Sequence, residues 1–479
     1  MRYRIAPDVR LHEGPEGAYL VGLHPLRAVR INAVLHRLVG RCRGPGAEPM
    51  APGEAEALEA LTRRGFLERE RAAGLPDAAL PTVSVVIPVK DRAGELDRCL
   101  RSLGRLDYPR GRVEVIVVDD GSRDGSADVA RRWGARVVGS GGCGVGPASA
   151  RNRGAEAARG EILAFIDSDC TASPGWLRDL VAAFERPEVT AVGGRVEGMH
   201  VATRLDRYEA VMSSLFLGRR ERSAREGNDT FYLPSCNLLV RRNAFLGVGG
   251  FREGMCVGED VDLTWRLRDR GGRIVYRPTG WVWHEHRNRW GAFLRRRFEY
   301  GGSEALLHAA HPQRRKKIAF PPSLTAAVLL LALGIAGGIG IAVPLGVAVL
   351  GVDALWSHRL LSRRGIPVSH RRVAAARLRA LSSLLYYLGE HGLRYYAAPA
   401  ALAAGLWPRF GMLLALLVAW VGLVEYRTRR PGVSLPWFFG AYLLDRLAYG
   451  AGVFWGCLRR GSFGSYRPLV YRRMEMTFG

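Results

Sequence analysis

The stretch Ile162–Cys170, ILAFIDSDC, runs from five apolar residues directly into two aspartates, Asp167 and Asp169. A short apolar run of this kind predicts a strand buried in a parallel sheet, with both carboxylates at its carboxyl end. Open α/β sheets bind their ligands outside the carboxyl ends of the strands. Carboxylate oxygens there favour Mg²⁺ or Mn²⁺, and either cation can hold the phosphates of a nucleotide. Because an isolated Asp-x-Asp also occurs in turns and helix caps, the interpretation depends on the rest of the chain.

Strand and helix patterns alternate through residues 82 to about 305. The predicted strands are VSVVIPVK (83–90), VEVIVVDDGS (113–122), ARVVGS (135–140) and ILAFIDSD (162–169). The helical patterns between them are AGELDRCLRSLGRL (93–106), SADVARRWG (126–134) and PASARNRGAEAARG (147–160). This alternation predicts a parallel, helix-covered sheet. The strand ends then bring five acids to one edge of it: Asp91, Asp119, Asp120, Asp167 and Asp169.

Residues 1–75 have the pattern of a small α+β module. YRIAPDVRLHEGPEGAYLVG (3–22) predicts short strands, and RAVRINAVLHRLVGRC (27–42) and EAEALEALTRRGFLERE (54–70) predict two amphipathic helices. Gly65 is the expected cap before a last short strand. Because so few residues bury only a modest core, we expect the module to dock on the rest of the chain. The linker AAGLPDAALP (72–81) marks its boundary.

From Ile318 onward the composition becomes apolar, and no charged residue occurs between Lys317 and Asp353. As one helix this run would span roughly 50 Å, too long for a single pass through about 30 Å of hydrocarbon. Basic residues on both flanks predict a hairpin that turns near Gly337–Gly338 or Pro344, with re-entrant or tilted legs as an alternative. A second apolar region covers 395–424, and the aromatic-rich segment 432–458 predicts an interfacial helix. Residues 318–479 are therefore predicted to be membrane-associated helices; a very apolar soluble bundle is the alternative.

The charge balance favours an acidic partner. The chain of 479 residues has 70 Lys and Arg against 45 Asp and Glu, a net charge of +25, which suits nucleic acid, an anionic membrane or phosphorylated substrates. Because the basic residues cluster beside apolar runs and no nucleic-acid recognition motif stands out, lipid headgroups are favoured. The seven cysteines include no C-x-x-C pair and indicate reduced thiols. With no apolar signal segment in MRYRIAPDVR, we expect the cytoplasmic face of the cell membrane.

The motifs of the middle region stand in a characteristic order. They read VSVVIPVKD, VEVIVVDDGSRD, ARNRGAEAARGEILAFIDSD, PSCNLLVRRNAFLGVGGF (234–251) and GEDVDLTWRLRDRGGRIVY (258–276). In this order they resemble the inverting glycosyltransferases of family 2, over residues 82 to about 300. The resemblance implies the GT-A fold, an α/β fold whose mostly parallel sheet has helices on both faces. It also implies a nucleotide-sugar donor, a divalent metal (Mg²⁺ or Mn²⁺) as cofactor, and no nucleic acid partner.

The resemblance further implies a role for each matching residue. Contacts to the nucleotide-sugar are implied for Pro88, Asp91, Asp119, Asp120, Arg151 and Asp167. Metal ligation is implied for Asp167, Asp169 and His284. The implied catalytic base is Asp260, with Glu259 beside it, and the implied acceptor-side residue is Asn237.

The chemistry of inverting transfer needs the same groups. A carboxylate must take the proton of the acceptor hydroxyl, and a cation must stabilise the departing diphosphate. For four of these residues a purely structural explanation is the alternative to a role in catalysis or binding. Glu259 and Asp260 complement the dipole of a helix N-terminus, while His284 is a packed imidazole and Asn237 a satisfied loop amide. Asp262 is expected to be structural.

The arrangement of the whole chain narrows the resemblance. The N-terminal module, with IAPDVRLHE and LTRRGFL, is similar to the winged-helix-like peptide chaperones of ribosomal-peptide maturation, although a plain docking role is the alternative. Together with the family 2 domain and the tail, it resembles the glycosyltransferases of mycofactocin systems. This implies transfer of glucose from UDP-glucose to a peptide-derived redox cofactor, mycofactocin or its precursor, extended into a short β-glucan. A polyprenyl phosphate or other lipid acceptor in envelope polysaccharide synthesis is the alternative.

Two further motifs bear on the function. Processive synthases of the family carry Q/R-x-x-R-W, but here His286 occupies the first position of HRNRW (286–290). This argues against synthesis like that of cellulose synthase and leaves limited chain extension open. Gly139–Gly144, GSGGCG, fits the G-x-G-x-x-G fingerprint of dinucleotide oxidoreductases, with Glu161 near the expected distance. That fingerprint normally opens the first βαβ unit, whereas this one lies three elements later. It also leaves the acidic motifs unexplained.

Overall fold

The computed structural model describes residues 2–6, 9–14, 17–23, 26–43, 48–51, 53–70, 75–225, 229–363, 366 and 368–471. They belong to two compact units. One unit combines residues 74–316 with 425–467, and the other combines 1–73, 317–424 and 468–479. The division into three domains, 1–75, 82–305 and 318–479, remains a prediction.

The N-terminal part is a small α+β structure, as predicted. Its elements are β1 Arg2–Ile5, β2 Val9–Gly14, β3 Gly17–Leu23, β4 Leu26–Ile31, α1 Ala33–Arg41, α2 Glu54–Arg63 and β5 Leu67–Glu70. β2, β3 and β4 form an antiparallel sheet, and β1 pairs with β5. The prediction of a helix was wrong for residues 27–31, because this segment pairs along its whole length with β3. Gly65 has φ +75° just beyond α2, which is the left-handed conformation of its predicted capping role.

The middle of the chain folds into a larger α/β structure. Its elements are β6 Val83–Val89, α3 Ala93–Leu103, β7 Val113–Asp119, α4 Ser126–Arg132, β8 Arg136–Gly139, α5 Pro147–Ala157, β9 Ile162–Ile166, β10 Cys170–Ala172, α6 Trp176–Val181, β11 Val189–Gly193, β12 Val196–Gly198, α7 Arg204–Met212, β13 Arg222–Ala224, β14 Asn237–Arg241, α8 Arg242–Gly247, α9 Glu259–Asp269, β15 Arg273–Tyr276, β16 Val282–His284 and α10 Trp290–Ala310.

The main sheet has the strand order β13-β15-β11-β14-β9-β6-β7-β8. β9, β6, β7 and β8 are mutually parallel, as the alternation predicts, and β11 is parallel to β15. β14 is antiparallel to both of its neighbours. α3, α4 and α6 cover one face of the sheet, and α5, α8 and α9 cover the other. The predicted mostly parallel sheet is therefore confirmed.

A second, smaller sheet lies at the carboxyl edge of the first. It has the order β10-β16-β12, and β10 runs antiparallel to β16 with Cys170 opposite His284. β10 begins directly after the Asp-Ser-Asp motif. This pairing therefore carries His284 to the end of β9, more than a hundred residues away along the chain.

The C-terminal part is mainly helical. Its elements are β17 Lys317–Ala319, α11 Pro322–Ala336, α12 Ala342–Arg363, α13 His370–Tyr395, α14 Ala397–Leu406, α15 Pro408–Arg429, α16 Leu435–Arg460 and β18 Leu469–Tyr471. α11 and α12 form the predicted hairpin, since the helix breaks at residues 337–341. Among the described residues one helix, α15, is long and apolar enough to cross a membrane, with a mean hydropathy of 1.6.

The N-terminal sheet and the C-terminal helices share a hydrophobic core within their unit. Tyr19 and Val21 of β3 and Ala28 of β4 are buried against residues from the end of α12 to the start of α13, namely Leu361, Ile366, Val368 and Val373. The N-terminal sheet therefore packs against another part of the chain. A sheet this small gains the apolar surface that it lacks by itself.

α16 is tied to the α/β structure by two kinds of contact with α10. The helices approach so closely that a Cβ on Gly452 would lie 2.0 Å from the carbonyl oxygen of Phe298, and glycine at that position avoids the clash. Arg297 of α10 pairs with Glu209 and, at 3.0 Å, with Asp445 of α16. All three charged side chains are buried. Removal of one partner would leave a buried charge uncompensated, so this cluster fixes α16 in place.

The close packing of α5 on the main sheet gives a stability prediction. A Cβ on Gly154 would lie 2.3 Å from Cγ1 of Val86 and 2.9 Å from Cγ2 of Val118. We expect Gly154→Ala to lower the free energy of unfolding by about 1–3 kcal/mol through overpacking, measured by urea denaturation. Gly94→Ala, in the first turn of α3 with no atom within 4 Å of its Cβ, is the control and should be neutral or slightly stabilising. Equal stability of the two variants would contradict this packing.

Candidate active site

The predicted acids do lie at one edge of the main sheet. β7 ends at Asp119, β9 is followed by Asp167, and Asp91 lies two residues after β6. Because β6 is parallel to both β7 and β9, the carboxyl ends of the three strands meet at that edge. The sheet thus places Asp91, Asp119 and the Asp-Ser-Asp motif next to one another.

Asp91 and Asp119 organise the turn that follows β7. Asp91 has φ +49°, a conformation uncommon for a non-glycine residue. Its N–H donates to Oγ of Ser122 at 3.0 Å, and its Oδ1 accepts the N–H of Arg123 at 2.7 Å. Oδ1 of Asp119 accepts the N–H of Ser122 at 3.0 Å. Pro88 lies within β6 opposite Val118 of β7, close to the same edge.

Asp120 holds the glycine-rich loop between β8 and α5. Its buried carboxylate accepts from Oγ of Ser140 at 2.7 Å and from the N–H groups of Val145 at 3.0 Å and Gly146 at 3.1 Å. Both oxygens are therefore occupied within the protein. The loop that fits the dinucleotide fingerprint is shaped by this aspartate and follows the edge strand of the sheet.

Arg151 links the Asp-Ser-Asp motif to the acids of α9. Its side chain is 3% exposed, and it donates from Nη2 to Oδ1 of Asp167 at 2.5 Å and from Nη1 to Oε1 of Glu259 at 3.0 Å. Burial acts against the charge of Arg151, but the carboxylates of Asp167 and Glu259 outweigh it and raise the pKa of the guanidinium. The family resemblance implies that Arg151 contacts the nucleotide-sugar, whereas the structure pairs two of its nitrogens with carboxylates.

Asp169 has two different partners on its two oxygens. Oδ2 contacts Nη1 of Arg92, and Oδ1 lies 3.7 Å from Nε2 of His284. Burial by itself raises the pKa of Asp169, but the nearby His284 and Arg92 overcome this and lower it. The sequence analysis missed Arg92. The available signal was its position, immediately after Asp91 at the end of the strand next to β9.

Asp169 and His284 together fit a divalent cation. A carboxylate oxygen of Asp169, Sγ of Cys170 and a ring nitrogen of His284 lie within 4.8 Å of one another. Burial and the contact with Cys236 raise the pKa of Cys170, so this thiol is neutral and a poor ligand for a hard ion. The remaining carboxylate oxygen suits Mg²⁺ or Mn²⁺, and imidazole is a common ligand of metal ions. The structure thus brings Asp169 and His284 together, whereas the third predicted ligand, Asp167, is bonded to Arg151.

Glu259 and Asp260 open α9 but have different surroundings. Glu259 is buried and paired with Arg151. Asp260 remains partly exposed and accepts from the N–H groups of Ser235 at 3.3 Å and Val261 at 2.8 Å. Burial and the carboxylate of Glu259 raise the pKa of Asp260 to about 7, against these hydrogen bonds and Arg151. A carboxyl group that titrates near neutrality can accept a proton at physiological pH.

Two other candidates from the sequence have structural surroundings. Asn237 is completely buried; its Oδ1 accepts from Nε1 of Trp176 at 2.8 Å, and its Nδ2 donates to the carbonyl groups of Arg195 and Gly280. The expectation of an acceptor-side Asn237 is corrected accordingly, because its amide is satisfied inside the protein. Asp262 is buried between Arg266 and His311, as expected of a structural residue.

Known proteins share sequence or structural similarity with this chain. The family model for glycosyl transferase family 2 matches residues 84–248. The pre-mycofactocin glycosyltransferase of Mycobacterium tuberculosis is 35% identical over 404 residues, which cover 81% of this chain and 82% of that one. Glycosyltransferase AglE of Haloferax volcanii is 31% identical over 233 residues, 47% of this chain and 73% of the relative. The solved structure of mannosyltransferase PcManGT from Pyrobaculum calidifontis, in complex with GDP-Man and Mn²⁺, aligns with 66% of this chain and 91% of its own, with 21% identity and a TM-score of 0.41.

The contrast between Glu259 and Asp260 can be tested by titration. We expect Glu259→Gln to lower the pKa of Asp260 below about 7, because the variant removes a like charge and frees Arg151 to act on Asp260. The measurement is a ¹³C NMR titration of labelled aspartate side chains. Glu253→Gln, which changes an exposed carboxylate in the preceding loop, is the control and should leave that pKa unchanged. The same pKa in Glu259→Gln and wild type would disprove the electrostatic account.

Proposed function

Because the chain belongs to glycosyltransferase family 2, we propose that it transfers glucose from UDP-glucose to a hydroxyl group of mycofactocin or its precursor, a peptide-derived redox cofactor. The observation that carries this proposal is the 35% identity, over most of both chains, with a pre-mycofactocin glycosyltransferase. The resemblance found in the sequence is confirmed at the level of the family. The activity is that of a glycosyltransferase, whereas donor, acceptor and the number of sugars added are proposed.

In the proposed mechanism Asp260 is the catalytic base. Its pKa of about 7 lets it accept the proton of the acceptor hydroxyl at neutral pH, and its partial exposure leaves it accessible. The N–H groups of Ser235 and Val261 hold its carboxylate in a defined orientation. Glu259 is fixed by Arg151 and acts on Asp260 through its charge. The proton moves from the hydroxyl to a carboxylate oxygen of Asp260 as the hydroxyl oxygen bonds to the anomeric carbon of glucose, and the bond from that carbon to the diphosphate breaks and releases UDP.

The donor is proposed to bind along the carboxyl ends of β6, β7 and β9. Asp91 and Asp119, which lie with Pro88 near this edge, are proposed to contact the nucleoside. Asp169 and His284 are proposed to hold Mg²⁺ or Mn²⁺, which when bound neutralises charge on the departing diphosphate. Asp167, which is paired with Arg151 at the same edge, is proposed to contact the nucleotide-sugar.

The N-terminal module is proposed to dock the peptide-derived acceptor. A groove of about 760 Å³ lies between β3, β4 and the start of α1, and it is lined by polar and apolar side chains that include Arg30, Asn32, Leu35 and His36. Such a mixture suits a short peptide or its derivative. A plain scaffold role for the module is the alternative.

Association with the cytoplasmic face of a membrane is proposed for α16 as well as α15. The outer face of α16 exposes five large apolar residues, and Arg459 and Arg460 lie at its end. The apolar residues are Leu444, Leu447, Phe454, Trp455 and Leu458. An apolar stripe with basic residues at its end is typical of a helix that lies in the interface of an anionic bilayer.

The activity is tested by incubating the protein with labelled UDP-glucose and either a mycofactocin precursor or a polyprenyl phosphate. We expect the labelled glucose to appear on the peptide-derived acceptor and to raise its mass by one or a few hexoses, measured by mass spectrometry. Transfer to the polyprenyl phosphate alone would contradict the proposed acceptor and support the lipid alternative.

Transfer and UDP-binding measurements separate the proposed roles of Asp260 and Asp169. We expect Asp260→Asn to lower transfer at least about 100-fold, because a general base is lost, and to leave UDP affinity unchanged. Wild-type kcat/KM should rise with pH through about 7, as Asp260 loses its proton. Asp169→Asn should instead weaken UDP binding only when a divalent metal is present, measured by calorimetry. Normal turnover of Asp260→Asn would exclude Asp260 as the base.

The membrane role of α16 has its own test. We expect Leu447→Ser combined with Leu458→Ser to weaken binding to phosphatidylglycerol vesicles about tenfold or more, because each exposed leucine would otherwise enter the bilayer interface and contribute roughly 1 kcal/mol. Val201→Ser with Leu246→Ser is the control, since both residues are exposed outside α16. Equal loss of vesicle binding in the two double variants would contradict a specific role for α16.

A further inference from the structure

Both aspartates of the Asp-Ser-Asp motif are paired with arginines. Asp167 accepts from Nη2 of Arg151 at 2.5 Å, and Asp169 contacts Nη1 of Arg92. The side chain of Arg151 is buried, whereas one third of the side chain of Arg92 is exposed. The carboxylate charge that would attract a divalent cation is therefore already compensated at both positions.

Arg92 is held in place by the backbone around it. Its N–H donates to Oγ of Ser126 at 3.2 Å, and the N–H of Ala93 donates to Oδ2 of Asp124 at 2.8 Å. These bonds tie the connection between β6 and α3 to the segment that leads into α4. Since β6 and β9 are neighbours in the sheet, the side chain reaches Asp169 across adjacent strand ends. The ion pair is therefore a consequence of the strand order.

The contact leaves one oxygen of Asp169 directed at His284. Arg92 contacts Oδ2, while Oδ1 lies 3.7 Å from Nε2 of His284. A divalent cation between Oδ1 and the imidazole would have the guanidinium of Arg92 on the other side of the same carboxylate. A bare cation there is repelled by that charge. The diphosphate of a nucleotide attracts both the cation and the guanidinium, which can also donate hydrogen bonds to phosphate oxygens.

We propose that Arg92 makes cation binding depend on the nucleotide, so that Asp169 and His284 hold a divalent cation weakly alone and strongly with a nucleoside diphosphate. This inference rests on the metal-dependent donor site of the proposed function. Even at the dielectric constant of water, repulsion between a single and a double positive charge at about 5 Å weakens binding on the order of tenfold. By linkage, the factor by which UDP strengthens cation binding equals the factor by which the cation strengthens UDP binding.

The test measures the Mn²⁺ affinity of the full chain by electron paramagnetic resonance, with and without UDP. The quantity compared is the ratio of the affinity with UDP to the affinity without it. We expect Arg92→Gln to bind Mn²⁺ alone about tenfold more tightly than wild type and to lower the ratio about tenfold. Arg92→Lys keeps the positive charge and should keep most of the ratio. Arg98→Gln is the matched control: Arg98 lies on the neighbouring helix α3 and pairs with Glu285, so the ratio should stay at the wild-type value.

Three results would overturn the inference. The first is an unchanged ratio of Mn²⁺ affinities in Arg92→Gln. The second is weaker Mn²⁺ binding by Arg92→Gln without UDP, because Arg92 would then help cation binding by orienting Asp169. The third is an Arg92→Lys variant that behaves like Arg92→Gln, because charge would then not be the cause. Failure of the wild type to bind Mn²⁺ even with UDP would contradict the proposed metal site itself, so the two failures are distinguishable.

Discussion

The arrangement of the site depends on the buried guanidinium of Arg151. It is bonded to Asp167 after β9 and to Glu259 at the start of α9, two segments about ninety residues apart in the chain. An arginine buried without these partners would be strongly unfavourable, and removal of one partner from such a buried group typically costs about 3–5 kcal/mol. The bridge therefore holds the carboxyl end of β9 and the first turn of α9 at one cleft. The proposed reaction needs a cation at the end of β9 and a base at the start of α9, so the distance between these two segments must be fixed.

The same bridge separates the roles of two adjacent acids. Glu259 and Asp260 are neighbours in the sequence, yet only Glu259 is paired with Arg151, while Asp260 is held by two backbone N–H groups. The partial burial of Asp260 and the charge of Glu259 raise the pKa of Asp260 to about 7. Two carboxyl groups in different environments can thus serve different purposes, one as a fixed charge and one as a proton acceptor.

Much of this could be predicted from local sequence, and the rest depends on contacts that local sequence does not specify. The parallel strands and the acids at their ends follow from apolar runs that stop at Asp119 and Asp167, which is a pattern visible in one segment at a time. Asn237, at the start of β14, is satisfied by Trp176 at the start of α6, a residue about sixty positions away in the chain. Residues 27–31 have a helical pattern but pair with β3, because a tertiary partner outweighs local preference. Arg92 was missed because it follows β6 whereas its partner Asp169 follows β9, and the two residues meet only when these strands pair.

α16 connects the site with the surroundings of the protein. It packs against α10 through the close approach at Gly452 and the buried cluster of Arg297 and Asp445, so it belongs to the same compact unit as the acids of the sheet edge. Its outer face remains apolar, with Phe454 and Trp455 about half exposed. A helix fixed this firmly cannot reorient by itself when its outer face meets another surface. Whatever covers that face must therefore set the orientation of the whole compact unit and, in the proposed mechanism, the direction from which an acceptor approaches Asp260.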